Sequence, residues 1–200
     1  MKLTQIETIY DPKPFTFLVD TLLTKFDPPK VYSEDPSVDI ENIAKNVNID
    51  KIIYVPGEEL NGLHAVLEGS ILKINRDDPR AKQVFSIAHE VGHIVLGHIG
   101  ITAEYKVARL GISGVAELQK KLETESIIRV DQLIKIIHEK TADFFAASLL
   151  VPLNRFLLWE ERPDADIAKA FGVEEKCIRE RRKEVETILP ELALDTRAVG

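Results

Sequence analysis

Two histidines four residues apart bracket a glutamate in His89-Glu90-Val91-Gly92-His93, inside the apolar run RAKQVFSIAHEVGHIVL (80–96). On an α-helix, residues i and i+4 stand one turn apart on the same face. Two imidazoles in that relation can each turn a nitrogen toward one ion, at about 2.0–2.1 Å for zinc. Glu90 sits about 100° round the helix from His89, poorly aligned to ligate but close enough to hold a water on the metal. That is hydrolase chemistry: the ion acidifies the water and the carboxylate takes its proton. The plain alternative is two histidines satisfied by hydrogen bonds in a helical core. Two imidazoles and a carboxylate on one otherwise apolar helix are, however, costly to bury without a partner.

A catalytic zinc has three protein ligands and one open position. His98 and Glu104 are near in sequence. His98 lies about 140° round from His93 if the helix continues, but it follows Gly97, where the helix can end, so it stays open as a ligand. The better candidate is Glu139 in HEKTADFFAASLLVP (138–152), which shares the four-residue spacing with Asp143 on a segment dominated by Phe, Ala and Leu. Glu139 on the ion, with Asp143 accepting the outer N–H of a ligand histidine, gives both buried acids a reason. The competing reading pairs Glu139 with Lys135 or Lys140 on a solvated face.

The surrounding pattern predicts the elements that hold these residues. PFTFLVDTLLTKF (14–26) and IENIAKNV (40–47, with Asp39 as N-cap) read as helices. KIIYVP (51–56), LHAVLEG (63–69) and SILKIN (70–75) read as three strands, and their close spacing predicts an antiparallel meander. Asp77-Asp78-Pro79 opens the metal-bearing helix, expected from Arg80 to Leu96 and buried on several sides. Residues 99–130 carry broken patterning around a solvated helix in AELQKKLETE (116–125); a long helix from Asp131 to Leu150 stops at Val151-Pro152, and a pair of short helices follows Arg162-Pro163. The expected class is α+β: a small three-stranded antiparallel sheet packed on the HExxH helix and a second ligand-bearing helix, with a helical C-terminal tail. The expected division is a domain at 1–155 and a subdomain at 156–200.

Composition narrows the setting. The chain has 200 residues, five histidines, one cysteine and a formal charge of −7, with 44% hydrophobic and 30% charged residues. One thiol can build neither an internal disulfide nor a Cys-rich zinc site. No basic start precedes an apolar run and no stretch reaches the ~20 apolar residues of a membrane span, so a cytoplasmic protein without a membrane partner is expected. The acidic balance works against a general nucleic-acid binder.

QVFSIAHEVGHIVLGH (83–98) followed by E-x-x-A-D-x-F-A-A-x-L-L-V-P (139–152) resembles the ImmA/IrrE family of zinc metallopeptidases, typical of bacteria, phages and mobile elements. The resemblance begins near IENIAKNV and ends near Pro152. It implies a zincin-like metallopeptidase fold, with His89, His93 and Glu139 as zinc ligands and Glu90 as general base. The family often has Asn at the position of Asp143, Glu at Thr141 and Met at Val151. The implied substrate is a helix-turn-helix transcriptional repressor, cut so that its genes are derepressed. If so, SILKIN is the strand edge expected to receive an extended substrate. His98, Tyr105 and His138 are candidate oxyanion donors, and His64 has no assigned role.

DIAKAFGVEEKCIRERRKEVE (166–186) itself looks like a helix-turn-helix. Between Asp164 and Leu189 it carries seven acids and six bases, with Glu174 and Glu175 opening the would-be recognition helix. A duplex would repel that surface, so nucleic acid is not the expected partner. Arg181 falls where an apolar packing residue is common, and Cys177 reads as packing. The alternative to a peptidase is a non-hydrolytic regulatory protein that binds a partner repressor or DNA, with a structural or vestigial metal site; a four-ligand shell completed by His98 would mark that site as closed and structural.

Overall fold

Strand-forming residues alternate in Ile71-Leu72-Lys73-Ile74-Asn75, and this segment becomes the centre of the sheet. The computed structural model describes residues 13–28, 35–98 and 130–195. The helix expected in AELQKKLETE, together with Glu104 and Tyr105, lies outside the described residues. In chain order the elements are α1 (Lys13–Phe26), α2 (Ile40–Asn46), β1 (Lys51–Val55), a short 3-10 turn (Gly57–Leu60), β2 (Ala65–Glu68), β3 (Ile71–Asn75) and α3 (Arg80–Val95). Then come α4 (Val130–Leu150), α5 (Leu153–Phe156), α6 (Asp164–Phe171) and α7 (Glu175–Asp195). The fold is α+β. Among the described residues no helix is long and apolar enough to cross a membrane.

The sheet departs from the expected antiparallel meander. Its order is β1-β3-β2: β3 runs antiparallel to β2, with Leu67 opposite Leu72, and parallel to β1, with Ile52 opposite Leu72. The tight turn at Gly69-Ser70 forces β2 and β3 together as a hairpin. The segment 56–64 is long enough to carry the chain past one strand position, and two reversals restore the direction of β1. Close spacing in sequence excludes a parallel pair only between consecutive strands, and β1 and β3 are not consecutive. It follows that SILKIN is the paired central strand, with both sides hydrogen-bonded, and cannot be the docking edge; β1 and β2 are the edges.

Leu72 and Ile74 of β3 are fully buried and meet Ile87, Ala88 and Val91 of α3 within one continuous apolar cluster. The same cluster takes in Ile43 and Ala44 of α2, Phe145, Ala146 and Leu149 of α4, and Phe156, Ile167, Phe171 and Ile178 beyond residue 155. Asp39 caps α2 by accepting from the Asn42 N–H at 3.1 Å. The acids before α3 act differently from the expected helix start: Asp77 accepts from the Gly57 N–H (2.8 Å) and Asp78 pairs with His64 (2.8 Å). Both therefore tie the 57–64 loop to the β3–α3 turn. The Gln83 side-chain amide donates to the carbonyls of Asn75, Arg76 and Asp78, fixing where α3 leaves the sheet.

Arg155 on α5 closes the far side of the core. Its guanidinium bonds the Asp27 carboxylate (2.9 Å) and the carbonyls of Asp27, Pro36 and Ser37, so three chain segments meet on one side chain. Because both ionic partners are largely shielded, removing one strands the other. Asp27→Ala is expected to cost about 3 kcal/mol of unfolding free energy, read as a lower urea midpoint; an unchanged midpoint would show that the clamp carries no stability.

Candidate metal centre

Backbone approach comes first. Gly92 sits on α3 where a Cβ would lie 3.1 Å from the Ala142 carbonyl oxygen and 3.2 Å from the Phe145 ring. With no side chain there and a small one at Ala142, α3 and α4 can meet closely enough to share a site. That contact lies between His89 and His93 along α3 and between Glu139 and Phe145 along α4.

Across it, one ligand atom each from His89, His93 and Glu139 falls within 4.8 Å of the others. The two histidine Nε2 atoms face each other at 2.9 Å. Glu139 reaches His89 Nε2 at 3.4 Å through Oε2 and His93 Nε2 at 3.5 Å through Oε1. His89, Glu90 and Glu139 are all under 9% exposed. Buried Oε1 of Glu139 has no hydrogen-bond partner among the described residues. Two imidazole nitrogens and a carboxylate oxygen converging with an unsatisfied lone pair could hold a metal ion. Sequence patterning also suggested Lys135 or Lys140 as partners for Glu139; the structure turns its carboxylate to the histidines.

Each member is tuned by its neighbours. Burial alone would push His89 down, but hydrogen bonds to Asp143 and Glu139 raise it to about 10. Asp143 Oδ1 accepts from His89 Nδ1 at 2.8 Å, on the ring edge opposite the facing nitrogens. Burial raises Glu139, and the hydrogen bond from His89 with the nearby cationic charge outweighs it, so its carboxyl lies below the usual range. Burial lifts Glu90 above the usual carboxylate range against the opposing charge of His89. Burial and the charge of His89 lower His93 to about 4, and burial with the neighbouring His138 lowers His98 to about 4.

His98 stands outside the converging set. Its Nδ1 lies 3.1 Å from Nδ1 of His93, the nitrogen on the far side of that ring, and its ring stacks on His138 at 4.0 Å between centroids. His138 packs there through its ring. His64 is held by Asp78 at the sheet end. In the tail, Arg181 is buried: it donates to the Val151 carbonyl (2.9 Å), the Ser148 hydroxyl (3.3 Å) and the Glu184 carboxylate. Arg182 bonds Asp164 and the carbonyls of Glu160 and Arg162. Two bases of the would-be recognition helix thus face inward. Burial pushes the Cys177 thiol up to about 12, as packing and not reactivity would have it.

Sequence reasoning passed over Gly92 as a site residue, although a glycine between the two histidines of an otherwise well-formed helix signals close approach. No protein-family model and no curated protein matches the sequence. A solved structure described as a Mycobacterium tuberculosis transcriptional regulator is similar in fold, with a TM-score of 0.53 at 13% identity, over 84% of this chain and 46% of that one. The chain thus spans about half the length of that structure, and the likeness is one of fold.

Two outcomes follow. Gly92→Ala, by forcing α3 and α4 apart by a few tenths of an ångström, is expected to weaken zinc affinity at least tenfold while the far-ultraviolet circular dichroism stays unchanged; undiminished affinity would separate the helix contact from the site. A proton competes with a cation for His89, because Asp143 and Glu139 hold that imidazole protonated up to about pH 10. Zinc binding near pH 7 is therefore expected to release protons, and affinity is expected to rise with pH. Calorimetry in two buffers of different ionisation enthalpy checks this, and identical heats in both would contradict it.

Proposed function

We propose that this protein is a zinc-dependent endopeptidase of the ImmA/IrrE type, with a zincin-like arrangement of the metal helix and a second ligand helix. The observation that carries the reading is the convergence of His89, His93 and Glu139 on one buried point with an unpartnered Glu139 oxygen there. Those three residues would hold the ion. When bound, zinc supplies Lewis acidity, acidifying a water and polarising a peptide carbonyl. Glu90, next to His89 and with a raised pKa, takes the proton from the attacking water and hands it to the leaving amine. Asp143 keeps the His89 ring turned so that Nε2 faces inward.

The fit of His98 to the outer edge of His93 favours an open fourth position over the closed, four-ligand alternative. The substrate class follows from the family resemblance: a helix-turn-helix transcriptional repressor, with transcription regulated by its cleavage. Arg181, bonded to Val151 and Ser148, and Arg182, bonded to the 160–164 segment, support the C-terminal helices as a packed brace in preference to a DNA reader. The solved neighbour's description as a transcriptional regulator bears on that protein, and a regulatory role without hydrolysis is separated by the same experiment. Zinc-loaded protein is incubated with a denatured protein such as casein and new N-termini are counted by mass spectrometry. Wild type is expected to generate them. Glu90→Gln is expected to retain one zinc per chain and lose at least a hundredfold in rate. A wild type that binds no metal, or a Glu90→Gln that cuts equally well, would end the peptidase reading.

A further inference from the structure

Helix α3 does not simply fray after His93. Gly97 adopts the left-handed conformation (φ 69°), the Gly97 N–H bonds the Ile94 carbonyl at 3.1 Å, and the His98 N–H bonds the His93 carbonyl at 2.9 Å. This paired closure is the glycine-dependent helix stop in which the second residue past the helix returns to the third-last. Its consequence is specific to this chain. The backbone of His98 is pinned to the backbone of His93, so the two rings meet edge to face, with centroids 5.1 Å apart.

The hydrogen-bond directions form one consistent chain. Nδ1 of His93 and Nδ1 of His98 are 3.1 Å apart, so one donates and the other accepts. Nε2 of His98 lies 3.5 Å from the Thr141 hydroxyl oxygen. That hydroxyl directs its own proton to the carbonyls of Ile137 (2.8 Å) and His138 (3.0 Å), which leaves it an acceptor toward His98. His98 accordingly carries its proton on Nε2 and offers the Nδ1 lone pair to His93. A His93 protonated on Nδ1 has its Nε2 lone pair free, and Nε2 is the atom that faces His89 and Glu139.

We propose that His98 is a positioning residue for the metal centre: its Nδ1 accepts a hydrogen bond from His93 and so fixes the tautomer and ring orientation that aim His93 Nε2 at the cation. The two ligand histidines are then oriented unequally, His89 by a carboxylate and His93 by a neutral imidazole, and the α3 stop signal Gly97-His98 belongs to the site. Stacking on His138 holds the His98 ring in place. The proposal rests on the metal reading above and deepens it.

Cobalt(II) serves as the probe, titrated against a competing chelator and followed by its visible absorption in wild type, His98→Ala and His98→Asn. His98→Ala is expected to lose about tenfold to a hundredfold in affinity. His98→Asn, whose Oδ1 stands where Nδ1 stood, is expected to recover most of that loss, with the cobalt spectrum of wild type. Unchanged affinity in His98→Ala overturns the proposal and leaves the metal centre standing, as does a loss that Asn fails to recover. A wild type that binds no cobalt overturns both together. Should His98→Ala fail to fold, nitrogen NMR of zinc-loaded wild type reads the tautomers without a variant: a proton on His93 Nδ1 and on His98 Nε2 supports the assignment, and a His98 protonated on Nδ1 overturns it.

Discussion

The close crossing of α3 and α4 at Gly92 and Ala142 is the constraint on which the rest depends. It brings two imidazoles and two carboxylates, Glu90 and Glu139, into a part of the molecule that excludes most water. Isolated, each carboxylate would be strongly disfavoured there, because desolvation of a charge exceeds what a single neutral hydrogen bond returns. The groups tolerate burial as a set. His89 sits between Asp143 and Glu139, and its positive character is what lowers Glu139 while Glu90, farther from compensation, is pushed up. One crossing thus sorts chemically similar acids into a carboxyl held below its usual range and one pushed above it.

The remaining elements keep that crossing in register. β3 delivers the chain into α3 at an angle set by Gln83 and the loop anchors of Asp77 and Asp78, and its buried Leu72 and Ile74 support the helix from beneath. At the far end of α4, Arg181 reaches from α7 to the Val151 carbonyl and Ser148, satisfying backbone left without an intrahelical partner where Pro152 stops the helix. Arg155 draws in α1 and residues 36–37 on the other side. These are directional bonds between segments distant in sequence. They set positions that apolar packing alone leaves free.

Much was legible in the chain because helical spacing is a local property. His89, Glu90 and His93 follow from a single turn of helix, and Glu139 with Asp143 from another; the termini of α2, α3 and α4 came within a residue or so of their expected places through Asp39, Pro79, Gly97 and Pro152. The burial of α3 from Ser86 to Gly92 likewise follows from apolar residues on more than one face. Strand segments were visible too, as alternation and turn residues are read within a few positions.

What tertiary structure alone decided is whatever depends on two segments meeting. Strand order is the clearest case: the same three strands could form a meander or the β1-β3-β2 sheet, and in the observed order the 56–64 loop crosses one strand position and is tied to the β3–α3 turn by Asp77 and by the His64–Asp78 pair, contacts that lie outside the strands. His98 is another, since its distance from His93 turns on whether the helix continues or closes at Gly97. The inward turn of Arg181 could not be read from a charge count, because a count records no partners. Spacing along one helix determined which residues could act together; the contact between two helices, made close by the absence of a side chain at Gly92, decided that His89, His93 and Glu139 share one buried point.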